Sequence, residues 1–196
     1  REAMSEGRDL STRLAKAAKL AIAQKMDNIL LLGDGSDTFL GLTGFFKLSG
    51  TNTYTVPADG TGASALWTAK TPDLILRDMN GMVFKVVTDS LEVEVPDTMI
   101  LPLSAYNLIN TTPRSSTSDT TIAEFFLRTN PHIKRLETST KLENAGATNL
   151  ARTVVYKKDQ DKLEAVVPVP FEQFAPQQEG VMTITECHAR VGGVVP

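Results

Sequence analysis

One stretch constrains this chain more than any other: RDLSTRLAKAAKLAIAQKMDNILLLGDGSD, which spells a single long helix ending at a glycine-rich corner. Leu10, Leu14, Ala17 and Ala21 recur at helical spacing, and Ala18, Ile22, Met26 and Ile29 follow on an adjoining stripe. Together they predict an amphipathic helix with a broad apolar face. Alanine fills the middle and no proline or β-branched run interrupts it, so local propensity agrees with the pattern. Arg13, Lys16 and Lys19 are spaced to line a solvated flank. Glu2, Glu6 and Asp9 fall near the start, where the helix dipole favours negative charge. Gly33 follows the last apolar residue and suits the left-handed position that closes a helix. A helix of this extent is a rod about 35 Å long, a spine for the remaining chain.

After the spine, GDGSDTFLGLTGFF reads as a loop and FKLSGTNTYTVP as a hairpin turning at Ser49-Gly50, with Tyr54 and Val56 alternating in a strand. ADGTGASALW is glycine-rich and irregular, with Trp67 as its anchor into a core. Thr71-Pro72-Asp73 starts a second helix: a cap hydroxyl, proline at the first helical position and an acid in the first turn. Ile75, Met79, Met82, Val83 and Val86 form its buried face, and it ends near Asp89-Ser90. TMILPL is a short buried strand, SAYNLIN a short helix and NTTPRSSTSDTT an exposed polar loop. A third helix in DTTIAEFFLRTN takes Asp119 or Thr120 as cap and Asn130-Pro131 as stop. HIKRLETS, LARTVVYKK, KLEAVVPVP and VMTITECHARVGGVV read as strands, with KKDQDK turning between the second and third. This order of helix, hairpin, helices and strands predicts an α+β fold rather than a βαβ wind.

The 196 residues suffice for one sizeable core or two lobes sharing the chain. A net charge of -3 gives no overall reason for tight nucleic-acid binding, although a local basic face remains compatible with it. A single cysteine, Cys187, excludes an internal disulfide framework and a cysteine-rich metal site. No apolar run approaches the roughly 18 residues of a membrane-spanning helix, and no signal-peptide pattern opens the chain. The first residue, Arg1, suggests a piece of a longer polypeptide.

Enzymatic readings are weak. ILLLGDGSD ends an apolar run in Gly-x-Gly, as in phosphate-binding turns, but the third glycine of that fingerprint is missing and FLGLTGFF is a poor helix opening. Asp34 and Asp37 lack the other ligands of a calcium loop. ADGTGAS has no Lys-Ser/Thr pair to hold a phosphate. His132 and His188 have no metal-ligand spacing. His188 alternates with Ile184 and Glu186 along a strand, a surface or subunit-contact position, and the neighbouring Cys187 points to the opposite face, so the two cannot form a nucleophile pair. No serine stands in a Gly-x-Ser-x-Gly elbow. No catalytic residue, cofactor or metal is assigned.

The arrangement itself carries a resemblance. The long helix ending in a glycine turn, the loop Gly41-Leu42-Thr43-Gly44, the second helix leading into DTMILPLSAYNLIN, and the closing VPVPFEQFAPQQEGVMTITECHARVGGVVP resemble the major capsid proteins of tailed bacteriophages, with the Hong Kong 97-type fold. Encapsulin compartments share that architecture more distantly. The resemblance implies a peripheral domain at 1–69 and 166–196 holding the spine helix, hairpin and last strands, and an inserted axial domain at 70–165. It places the loop from Thr111 to Asp119 at the axial tip, with Arg114 and Asp119 as subunit-contact residues. In that family an N-terminal arm and an extended loop precede the spine and reach other subunits; this chain starts at the spine, so no crosslinking lysine can be named.

The function implied is that of a structural, non-enzymatic coat subunit of a phage or prophage. Its partners would be further copies in hexamers and pentamers, scaffold, portal or decoration proteins, and packaged DNA held non-specifically, with no membrane. Its place would be the virion, and the host cytoplasm during assembly. The alternatives are an encapsulin-like shell subunit and, in another class, a small phosphate- or nucleotide-binding domain using the Asp34-Gly35 corner. Without an arm, the chain is expected to be monomeric or weakly associated in dilute solution. A thermal melt separates the classes: a true ligand at a hundredfold excess over its dissociation constant stabilises by about 2.7 kcal/mol, and the coat reading expects no shift with nucleotides or divalent metals.

Overall fold

A computed structural model describes residues 10–34, 41–48, 50–146, 150–180 and 182–195. Contacts divide the chain into two compact units, 1–48 with 163–196, and 49–162.

The first unit is built on helix α1, Leu10–Leu32. Gly33 ends it with φ +88°, and its N–H still donates to the Ile29 carbonyl at 2.9 Å. Glu2, Glu6 and Asp9 lie outside the described residues. The broad apolar face divides in two. Ala18, Ile22, Met26 and Ile29 are half-buried on the side that packs against the C-terminal strands. Leu14, Ala17 and Ala21 are exposed, Leu14 by 62%, and so is Leu20 by 60%. The unit's strands cover only one side of the rod.

Beyond the corner the chain folds back on the helix end. Gly33 and Thr43 form an antiparallel bridge, and Asp34 N–H reaches the Leu42 carbonyl at 3.3 Å. A Cβ on Gly44 would overlap the Gly33 nitrogen and the carbonyl carbons of Leu31 and Leu32; one on Gly33 would sit 2.6 Å from the Leu42 oxygen. A short 3-10 turn at Phe45–Lys47 then buries Phe46.

The stretches expected as long strands break up. KLEAVVPVP contributes β4 (Glu164–Val166) and the start of β5 (Val169–Gln173), and VMTITECHARVGGVV contributes β7 (Met182–Ile184), β8 (Cys187–Arg190) and β9 (Gly193–Val195). With β6 (Gln177–Glu179) they form three separate antiparallel pairs, β4–β9, β5–β8 and β6–β7. Pro170 has no N–H to give the ladder, and the β5–β8 register shifts around it. Gly193, at φ +88°, opens β9. Ile184 and His188 therefore stand on different strands, which corrects their expected alternation along one.

The second unit is organised around β1 (Thr98–Leu101), buried along its whole length between parallel β2 (Arg135–Thr138) and antiparallel β3 (Val154–Tyr156). Helix α2, Pro72–Asp89, starts at Thr71-Pro72 as expected and buries Ile75, Leu76, Met79, Met82 and Val83; Val86 is half-buried. Helices α3 (Leu103–Thr111) and α4 (Ile122–Thr129) complete the core with Ile109, Ile122 and Phe126, and Trp67 packs against it. The cap of α4 is Thr121, not Asp119 or Thr120. Its hydroxyl accepts from Glu124 N–H while the Glu124 carboxylate accepts from Thr121 N–H, the reciprocal box that Thr-x-x-Glu spacing allows.

The expected hairpin is absent among the described residues. Residues 50–57 form no strand, and Ser49 lies outside the described set. The segment instead packs Tyr54 against α2, where a Cβ on Gly81 would meet the ring 2.8 Å away. Tyr54 finds a helix to cover rather than a partner strand.

Two glycine substitutions separate conformational strain from overlap. Gly41 (φ +61°) has open space around its missing Cβ, so Gly41→Ala should cost about 1–2 kcal/mol. Gly44→Ala must displace backbone and should cost more than about 2 kcal/mol. Urea unfolding of both variants checks the ranking.

Candidate functional site

Among the described residues no group of three His, Cys, Asp or Glu side chains is placed to hold a metal ion. The polar features with geometry are a buried ion cluster, a tied-down loop and the glycine corner.

The cluster lies where segment 57–70 meets α2. Lys70 and Asp78 have fully buried side chains, and the Lys70 ammonium donates to Asp78 Oδ2 at 2.6 Å and to the Pro57 carbonyl at 2.7 Å. It also pairs with Asp59 at 3.0 Å, and Arg77 closes the ring onto Asp78 and Asp59. Burial alone would lower the Lys70 pKa, but the hydrogen bonds to Asp78 and Asp59 outweigh it and hold it above the ordinary lysine value. The Arg77 and Lys70 hydrogen bonds bring Asp59 down to about 2. The sequence reading missed this cluster. Its signal was Asp78 in the buried phase of α2, between Ile75 and Met79.

The loop from Thr111 to Asp119 is held at both ends. Arg114 N–H donates to the Thr120 carbonyl at 2.8 Å, Ile122 N–H reaches Thr112 at 3.2 Å, and Pro113 bridges Thr121. The Arg114 guanidinium pairs with Asp73 in the first turn of α2 at 2.6 Å and lies over the Phe125 ring at 5.1 Å. Arg128 covers the same ring at 5.5 Å. Asp119 stays exposed. The two residues named for subunit contact are thus in different situations: Arg114 is engaged within its own chain, and Asp119 faces solvent.

The corner spends its amides internally. Gly33 N–H goes to Ile29 and Asp34 N–H to Leu42, so neither is presented to a phosphate; Gly35 and Asp37 lie outside the described residues. On β8, the His188 ring stacks on Phe174 at 5.0 Å and approaches the Glu172 carboxylate at 3.7 Å, while Cys187 pairs across the ladder with Gln173. His132 is exposed, its N–H donating to Asn130 Oδ1 at 3.3 Å.

A family model described as "Major capsid protein" matches residues 1–196. The chain belongs to the major capsid protein family. Among solved structures it is similar to a chain of "The capsid of Myoviridae Phage XM1", with TM-score 0.81 and 18% identity over 99% of this chain and 64% of that one. At that identity the likeness establishes the fold, an α+β phage-capsid fold, and this chain spans under two thirds of that protein's length. No curated protein matches. The family favours neither the compartment reading nor the phosphate-binding one.

In a capsid-family protein the relevant sites are surfaces repeated by symmetry rather than catalytic clusters. The second unit shows an apolar surface at the end of α2, where Phe84 is 64% and Leu91 85% exposed, with Val93 beside them. There Leu91 and Glu92 adopt left-handed φ values of +52° and +66°, conformations that non-glycine residues rarely take.

Two outcomes follow. Because the Asp59 pKa lies below its ordinary value, the contribution of Asp59 is nearly complete above about pH 4 and is lost as pH falls toward 2. Melts of Asp59→Asn should therefore lie below wild type at pH 6 and converge with it near pH 2. Arg114→Ala removes an ion pair and a ring contact, worth about 1 kcal/mol together, whereas Asp119→Ala should stay within about 0.5 kcal/mol of wild type in urea unfolding.

Proposed function

We propose that this chain is the coat subunit of a tailed bacteriophage or prophage, closing with copies of itself as hexamers and pentamers into an icosahedral shell around the genome. The observation that carries the reading is the capsid-family match over the full length of the chain, joined to a phage-capsid fold. The unit built on α1 takes the role of the peripheral domain, and the unit built on β1 that of the axial domain. The Thr111–Asp119 loop serves as the axial tip. Asp119 meets the neighbouring copy directly, and Arg114 sets the loop's position through Asp73. Scaffold, portal or decoration proteins and packaged DNA are the partners this role requires, with assembly in the host cytoplasm and residence in the virion.

Shell subunits of this kind work by geometry. Each copy presents complementary patches on rigid elements, and rotation about local axes closes the ring. A loop anchored at both ends suits such a contact because little conformational entropy remains to be lost on docking.

Negative-stain electron microscopy of the complete gene product tests the reading. Closed shells or capsomer rings are expected; uniform small particles across all concentrations and salts would overturn it. Asp119→Arg should reduce the yield of rings without changing the urea midpoint.

A further inference from the structure

The charges of this protein are unevenly spent. In the second unit Lys70, Arg77, Lys85, Arg114, Lys157, Lys158 and Lys162 sit in ion pairs, while the exposed Lys134 and Arg135 have none to the described residues. Helix α1 concentrates such cations on one element. It carries Arg13, Lys16, Lys19 and Lys25 against one acid, Asp27, and all four cations are exposed with no ion pair to the described residues. This basic rod belongs to a chain whose net charge is -3.

Arg13, Lys16 and Lys19 advance by three residues, so they form one ridge of the helix. Each step rises about 4.5 Å along the axis, and the row runs obliquely across the exposed side of the helix, its spacing fixed by the backbone. The half-buried stripe of Ala18, Ile22, Met26 and Ile29 fixes which side faces the strands and leaves this ridge outward.

We infer that the Arg13-Lys16-Lys19 ridge of α1 is a contact surface for the phosphate backbone of duplex DNA; this rests on the coat-subunit reading, which supplies the DNA. Charge complementarity selects the occupant. Lysine is depleted from protein–protein interfaces, where an ammonium must be desolvated. It suits phosphate contacts, which are sequence-independent and release counterions. An acidic chain repels DNA overall, so any contact must come through a local basic surface, and this ridge orients the subunit toward the genome. The contact reads no bases and should be weak for a single subunit, multiplied by the copies in a shell.

The test compares two variants of equal net charge by fluorescence anisotropy with a short labelled duplex, between about 50 and 200 mM salt. Arg13→Gln/Lys16→Gln/Lys19→Gln should make the slope of log affinity against log salt shallower by about 2.7. Lys134→Gln/Arg135→Gln/Lys158→Gln, which removes exposed cations of the second unit, should leave the slope unchanged. Matching urea midpoints establish that both variants fold. An unchanged slope in the ridge variant, an equal change in the two variants, or no measurable binding by wild type would overturn the inference. Electron microscopy of the complete product keeps the two failures apart. Shells that form while the ridge variant binds DNA like wild type defeat only the DNA surface. Absence of shells from wild type defeats the coat reading, and the anisotropy still decides whether the ridge binds phosphate. Loss of shells in the ridge variant with unchanged DNA binding would assign the ridge to a second copy of the chain instead.

Discussion

The first unit depends on the absence of two side-chain atoms. Gly33 and Gly44 lie so close that a Cβ on either would run into backbone, and that approach lets residues 41–44 return across the last turn of α1. Leu42 lies against Gly193 where β9 begins, so the same loop meets both the end of the spine and the last strand of the chain. A sequence separation of some 150 residues is closed there by van der Waals contact, while the backbone hydrogen bonds of the corner stay local. The corner that resembles a phosphate-binding turn is a packing device, and its Gly33 and Asp34 amides are already spent.

The second unit is held differently. Its core is apolar and continuous through α2, β1, α3 and α4, yet a lysine and an aspartate lie fully buried at its margin. Burying the two charges costs solvation that an apolar pair would not lose, and removing either partner would leave the other stranded. The cluster therefore contributes placement more than net stability. It fixes the Pro57 carbonyl and Asp59 against α2 in one arrangement, which a greasy contact between the same elements would not specify. Arg114 does similar work on the other polar segment, tying its loop to the first turn of the same helix through Asp73. Helix α2 thus anchors several polar contacts besides its apolar face, among them the hydrogen bond from the Asn130 amide to Asn80 Oδ1 at 3.1 Å.

In the proposed coat role such placement is what matters, because the same surfaces must recur at the same positions in every copy. The exposed side of α1 carries Leu14, Leu20 and cations that have no ion pair among the described residues; the strands of its own unit leave it uncovered. The apolar surface at Phe84 and Leu91 is its counterpart in the second unit, raised on backbone that non-glycine residues seldom adopt.

By itself the sequence determined the elements whose causes lie within one or two turns. The long spine ends at Gly33 because a left-handed residue is needed there; α2 starts at Thr71-Pro72; α4 stops at Asn130-Pro131. The Thr-x-x-Glu box at Thr121 was equally local, and its spacing was there to be read. The tertiary structure decided everything that depends on a distant partner. A strand's hydrogen bonds belong to another segment, so only the fold could divide the C-terminal run into strands of three separate sheets, or lay Tyr54 on a helix instead of in a hairpin. Only the fold could show that one apolar stripe of α1 is covered and the other is not, since periodicity gives the direction of a face and not its occupant. Arg114 with Asp73 follows the same rule, and so does Asp59 with Arg77: ion pairing falls off over a few ångströms, and those ångströms are set by how separate segments pack on α2.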